Sequence, residues 1–195
     1  MKLQTSDGNG WAETLSDLLV LIIGLPRTET GRQTARNLSP FFEVREVPEV
    51  RWTPDAGNPE DVDVLAMKAH LGRAPLPGEV GCALAHQRAY VEFLTSQHSV
   101  ALILENDARI HQLDAFLGSV AVGAIQSRTR NRIVTLYAGE EVASWFEDHE
   151  PLSPVALPFR PAYAMAYMTG RKLAQELLDT NHPVSFVADW PGVPR

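Results

Sequence analysis

Apolar residues along this chain come in short unbroken blocks separated by amphipathic stretches, and that alternation predicts an α/β fold. The block Leu18–Ile23 (LLVLII) is bounded by Gly24 and Pro26 and reads as a first buried strand. Glu29–Leu38 has helical character and is closed by Ser39-Pro40, after which Phe41–Val47 (FFEVREV) reads as a second strand. Pro48–Glu60 holds three prolines and a glycine and reads as a loop. Asp61–Leu71 reads as a short helix before the Pro-rich turn Pro75–Gly78. In the long helix predicted over Glu79–Ser96, Val80, Ala83, Leu84, Tyr90, Val91 and Leu94 make one apolar face. The third strand is Val100–Ala108 (VALILENDA), followed by a helix over Leu113–Ala124 and a strand over Arg132–Tyr137. Glu140–Glu150 is acidic and reads as exposed, with Trp145 and Phe146 gripping the body. Tyr163–Met168 reads as a strand, Gly170–Asp179 as a helix and Asn181–Arg195 as a Pro-rich tail. The expectation is one domain over residues 18–195, with a mainly parallel central sheet flanked by helices and a flexible lead-in over residues 1–17.

Composition narrows the function more than the fold. Hydrophobic residues are 45% of the chain, enough for an ordinary core. The 17 basic and 24 acidic residues leave a net charge of −7, which argues against a nucleic-acid or anionic-membrane binder. The single cysteine, Cys82, excludes an intrachain disulfide and a multi-cysteine zinc site, and fits a reducing compartment. The run Leu18–Ile23 is far shorter than the ~20 apolar residues a membrane span needs, so no transmembrane segment is expected.

The chemistry concentrates where VALILENDA turns polar. Acids at the carboxyl end of a buried strand lie where open α/β sheets bind ligands. Glu105 and Asp107 are two apart, so on an extended backbone they share a face and would need a cation between them; the alternative is a strand that simply ends in a polar turn. On the preceding helix, Glu79, Cys82 and His86 fall on roughly one face. His86 is either a base, a metal ligand or a phosphate donor, or else a core histidine satisfied by a neighbour. Cys82 reads as a small buried hydrophobe. Arg88 and Glu92 are spaced as an i,i+4 ion pair.

Gly78–Tyr90 (GEVGCALAHQRAY) followed by Ala101–Ala108 (ALILENDA) resembles the signature of glycosyltransferase family 25, which includes bacterial lipooligosaccharide galactosyltransferases. Leu19–Arg27 (LVLIIGLPR), Tyr163–Leu178 and Val187–Pro191 (VADWP) are similar to further family segments. The resemblance implies a GT-A fold, a nucleotide-sugar donor such as a UDP-sugar, a glycan or glycolipid acceptor, and a divalent metal, Mn²⁺ with Mg²⁺ as the other candidate. It places Glu105 and Asp107 at the metal, and Glu105, Asn106, Asp107, Glu79, Arg27 and Arg32 around the donor. His86 falls on the matching position of the helix motif and joins the catalytic set. Asp189 falls on a late acidic position and is the candidate base that deprotonates the acceptor hydroxyl, or alternatively a loop aspartate capping a turn. A cytoplasmic enzyme of surface-glycan synthesis, able to work at the inner face of the membrane, is the resulting expectation.

Three features depart from the family pattern. Asn106 stands where an aspartate is usual, Ala85 where a serine is usual, and the sequence ends four residues after Pro191 where members continue. They motivate a second expectation, a catalytically silent GT-A-like domain that binds a nucleotide or a partner. A third is a nucleotidyltransferase or another Mg²⁺-dependent phosphate enzyme on a similar sheet.

Overall fold

The computed structural model describes residues 15–24, 27–55, 61–130, 133–136 and 165–188. They form five strands and five helices: β1 (Leu18–Ile23), α1 (Glu29–Leu38), β2 (Glu43–Val47), α2 (Val64–Leu71), α3 (Pro77–Thr95), β3 (Val100–Glu105), α4 (Leu113–Arg130), β4 (Val134–Thr135), β5 (Ala166–Gly170) and α5 (Arg171–Thr180). The strands make one sheet in the order β2-β1-β3-β5-β4. β1 pairs in parallel with β2 and with β3, whereas β5 runs antiparallel to both β3 and β4. The sheet is therefore mixed, a correction to the mainly parallel arrangement expected. Two of its four strand pairings are parallel and two are antiparallel.

Helices cover both faces of the sheet, which is why β1 and β3 read as continuous apolar runs. Alternate residues go to opposite sides. Leu18, Val20, Ile22, Val100, Leu102 and Leu104 pack with Leu38 of α1 and Leu117 and Val120 of α4. Leu19, Leu21, Ala101 and Ile103 pack with Ala85, Ala89 and Phe93 of α3 and Leu173 and Leu177 of α5. A satellite cluster of Val62, Met67, Val80, Ala83 and Val184, flanked by Trp52, seats α2 against the start of α3.

Helix ends follow their local chemistry. Thr28 caps α1 by accepting from the Gly31 amide (2.9 Å), and Asp63 caps α2 by accepting from Ala66 (2.8 Å). Pro77 opens α3, and Glu79 reaches back to accept from the Leu76 amide (2.8 Å). The C-terminus of α3 has no basic residue in its last turn. Arg171, at the start of α5, supplies the missing charge by donating to the carbonyls of Phe93, Leu94, Ser96 and His98.

Several boundaries and contacts differ from the sequence reading. α4 runs on to Arg130, and β5 begins at Ala166 and ends at Gly170, later than the strand expected over Tyr163–Met168. Val91, assigned to the apolar face of α3, is 47% exposed. Glu92 pairs with Arg45 on β2 (2.7 Å) and not with Arg88, because the neighbouring edge strand offers a guanidinium across the interface. Among the described residues no helix is long and apolar enough to cross a membrane.

Candidate functional site

β1 has β2 on one side and β3 on the other, so the chain leaving β1 and the chain leaving β3 diverge. The crevice at their carboxyl ends is a topological switch point, where open sheets hold ligands. Three backbone ties fix its floor. The Gly24 amide donates to the Val47 carbonyl (2.8 Å), Asn106 Nδ2 donates to the Gly24 carbonyl (3.1 Å), and Thr28 Oγ1 donates to the Asn106 carbonyl (2.5 Å). Gly24 has φ +69°, and a Cβ there would lie 2.6 Å from Asn106 Nδ2. Asn106 thus joins the end of β3 to the end of β1 through its amide nitrogen.

Glu105 is the last residue of β3. Its Oε1 lies 3.2 Å from His86 Nε2 and accepts from the Cys82 thiol (3.4 Å). One helical turn separates Cys82 from His86, so both side chains leave α3 toward the strand end. Gly81 fixes that approach, because a Cβ there would overlap the Val50 carbonyl oxygen of the loop beneath α3. The fold therefore unites the two halves of the sequence signature on one carboxylate.

Behind His86 the polar contacts continue into the core. His86 is 2% exposed, its Nδ1 lies 2.8 Å from the Tyr167 hydroxyl, and Tyr167 donates to the Tyr90 hydroxyl (2.9 Å). Burial pushes the Tyr90 phenol up to about 12, and burial with the neighbouring Tyr90 pushes Tyr167 well above its ordinary range. Both therefore stay protonated at neutral pH and act as hydrogen-bond partners, not bases. The two hydroxyls hold His86 by Nδ1, so Nε2 is the ring nitrogen that faces Glu105. Hydrogen bonding from His86 holds the Glu105 carboxyl below its ordinary range against the opposing effect of burial, with the His86 charge and the Cys82 thiol adding to the lowering.

No protein-family model, curated protein or solved structure matches this chain. The likeness to glycosyltransferase family 25 rests on the motif residues themselves.

The other predicted site residues fall elsewhere. The strand ends at Glu105, and Asn106 and Asp107 form a turn closed by the Ala108 amide donating to the Glu105 carbonyl (3.1 Å). The extended backbone that would align Asp107 with Glu105 is absent. Asp107 is exposed and does not join the donors that converge on Glu105. Glu79 is held by a forked ion pair to Arg73 (2.5 and 2.9 Å), which lowers its carboxyl, and by its bond to Leu76. Arg27 pairs with Glu49, and Arg32 bonds Glu29 (2.9 Å). Asp189 lies outside the described residues, as does the Glu140–Glu150 stretch with Trp145 and Phe146. A groove of about 1060 Å³ lies between the Glu46–Trp52 segment and the outer face of α3, but neither Cys82, His86 nor Glu105 lines it. Among the described residues, the His, Cys and acidic side chains whose donor atoms converge are Cys82, His86 and Glu105, away from that groove.

Tyr90 reads only as part of the apolar face of its helix, and Tyr167 sits inside an apolar block, so neither stands out as a polar partner. Their signal is a hydroxyl at a buried strand or helix position, where a polar atom needs a partner. The donors around Glu105 also test the metal expected from the family. Mn²⁺ and Mg²⁺ favour oxygen ligands. Here one carboxylate meets a thiol and an imidazole, and the second carboxylate stands apart, so the set does not fit an oxygen-seeking ion.

Proposed function

We propose that this protein is a glycosyltransferase that moves a sugar, a hexose such as galactose, from a nucleotide-sugar donor to a glycan or glycolipid acceptor. The observation that carries the reading is the meeting of the two motif halves: His86, from the Gly78–His86 helix segment, lies 3.2 Å from Glu105 at the end of β3. A signature whose parts are 19 residues apart in sequence has converged at the switch-point crevice, where an α/β sheet receives a nucleotide. The Thr28-capped start of α1, tied to the Asn106 carbonyl, lies beside the same crevice and would offer helix N-terminal amides to a diphosphate. Transfer breaks the bond between the anomeric carbon and the diphosphate and forms one to an acceptor oxygen. The diphosphate leaves with the bonding electrons, and the acceptor proton passes to a base. Work at the cytoplasmic face of a membrane, on surface-glycan precursors, is part of this reading.

The test is incubation of the full chain with a panel of nucleotide sugars and glycan acceptors, with and without divalent metal, followed by product identification. Release of a nucleoside diphosphate with a lengthened glycan is expected. Failure of every donor to bind at millimolar concentration would remove the reading, and release of pyrophosphate would assign the chain to nucleotidyl transfer. A silent nucleotide-binding domain is favoured by the inward turn of Asn106 onto Gly24. UDP-induced thermal stabilisation without turnover would establish it.

A further inference from the structure

We propose that Cys82, His86 and Glu105 form a binding site for one transition-metal ion of the zinc class. The sulfur, the imidazole nitrogen and the carboxylate oxygen all lie within 4.8 Å of one another. Two of the three edges are already close to those of a coordination tetrahedron. Bond lengths of about 2.1 Å to nitrogen and oxygen and about 2.3 Å to sulfur give tetrahedral edges of about 3.4 Å (N···O) and about 3.6 Å (S···O). The observed separations are 3.2 Å for His86 Nε2 to Glu105 Oε1 and 3.4 Å for Cys82 Sγ to the same oxygen. Outward movements of about 0.2 Å would admit the ion.

The surroundings supply what such an ion needs. His86 Nδ1 is held by the Tyr167 hydroxyl (2.8 Å), which Tyr90 braces in turn, so the ring presents Nε2. On binding, the Cys82 S–H bond breaks, a sulfur–metal bond forms and the proton passes to solvent. Thiolate, carboxylate and neutral imidazole then balance a divalent charge, which suits a half-buried position better than any unpaired member would. Sulfur and nitrogen donors select Zn²⁺ or Co²⁺ over Mn²⁺, Mg²⁺ and Ca²⁺. Three protein ligands leave a fourth position for water or a substrate oxygen, and the Glu105 side chain, 28% exposed, marks the way in. This site stands independently of the transfer reading, because its test involves no sugar nucleotide.

The experiment uses the untagged full chain, stripped with chelator and titrated with Co²⁺ and then Zn²⁺. One equivalent of Co²⁺ should give thiolate-to-cobalt charge-transfer absorption, which Zn²⁺ abolishes by displacement. Cys82→Ser should lose that absorption, and His86→Gln should weaken Co²⁺ binding at least about tenfold. Because the chain has one cysteine, alkylation of the unaltered protein reports on Cys82 alone, and Zn²⁺ should slow it at least about tenfold. That measurement holds even if a variant fails to fold. A Co²⁺ spectrum without the thiolate band, or alkylation indifferent to Zn²⁺, would overturn the site. Equal protection by Mn²⁺ would overturn its selectivity.

Discussion

Replacing Tyr167 with phenylalanine tests the buried polar chain behind Glu105 with little change of shape. The ring stays among Leu173, Leu177 and the β1–β3 core, and only the hydroxyl goes. That oxygen serves His86 Nδ1 at 2.8 Å and the Tyr90 hydroxyl at 2.9 Å, and all three residues are buried. The loss strands two groups, each costing about 1–3 kcal/mol when left without a partner in the core. The expected destabilisation is about 3 kcal/mol, a large share of the ~5–15 kcal/mol that holds a domain of this size together. Tyr90→Phe behaves differently. Tyr167 can then turn its proton to His86 Nδ1 while Nε2–H donates to Glu105, so nothing is stranded and one bond, worth about 1 kcal/mol, is lost. In the double variant, losing the Tyr167 hydroxyl strands His86 alone. The two single costs should therefore exceed the double cost by about 1–3 kcal/mol. Urea unfolding of the four proteins measures this, provided the slope is common to all. A Tyr167→Phe midpoint equal to that of the parent, or costs that add within about 0.5 kcal/mol, would refute the hydrogen-bond chain.

Asn106→Asp should not raise any transfer activity, because this side chain braces the Gly24 carbonyl. It faces the Gly24 carbonyl with a carboxylate oxygen and should lower stability by about 1–3 kcal/mol in thermal melts; raised transfer activity at unchanged stability would contradict it. Gly24→Ala meets both the left-handed φ of +69° and the Asn106 amide, and should cost at least about 1–2 kcal/mol by the same measurement. Arg171→Met removes a guanidinium that donates to four carbonyls closing α3, with an expected loss of about 3 kcal/mol, and Arg171→Lys should recover part of it. Glu105 has a lowered carboxyl, so the stability it adds is present above the ordinary glutamate range and is lost as pH falls through the lowered native value. Glu105→Gln should flatten that acid limb of the stability–pH profile, and an unaltered limb would show that Glu105 does not contribute to it.

The strands legible in the sequence are those buried on both faces. LLVLII and VALILE appear as β1 and β3 because covering helices make every position apolar. Their direction was not legible, since periodicity carries no sign, and β5 reversed the expected parallel order. Glu105 and His86 were visible as motif residues, but the role of Asn106 was not. A side-chain amide that closes a turn onto a distant carbonyl leaves the same letter as one that ligates an ion. In sequence a thiol looks like apolar filling, and only its neighbours Glu105 and His86 show Cys82 as a donor. Asp107 does not align with Glu105 because the strand stops at Glu105, where the Ala108 amide closes a turn onto the Glu105 carbonyl.

The spacing of the helix motif follows from these contacts. Gly81 has no side chain because the Val50 carbonyl occupies the space a Cβ would take, and this sets how α3 is rotated over the sheet. With that rotation fixed, the next residue, Cys82, and the residue one turn later, His86, face the carboxyl end of β3, while Glu79 falls back on the helix start. Tyr90, one further turn along, then lies level with Tyr167 on β5 and completes the polar chain. The motif is thus a packing constraint and a donor set in one. Glycine fixes the helix, the helix aims two ligands, and the strand end supplies the carboxylate on which they converge. An exposed acid such as Asp107 can vary its contacts without disturbing this arrangement, whereas Glu105 cannot be exchanged without leaving both His86 Nε2 and the Cys82 thiol facing no charge. Whatever ion or substrate atom this protein holds, its affinity should follow Glu105 far more closely than Asp107.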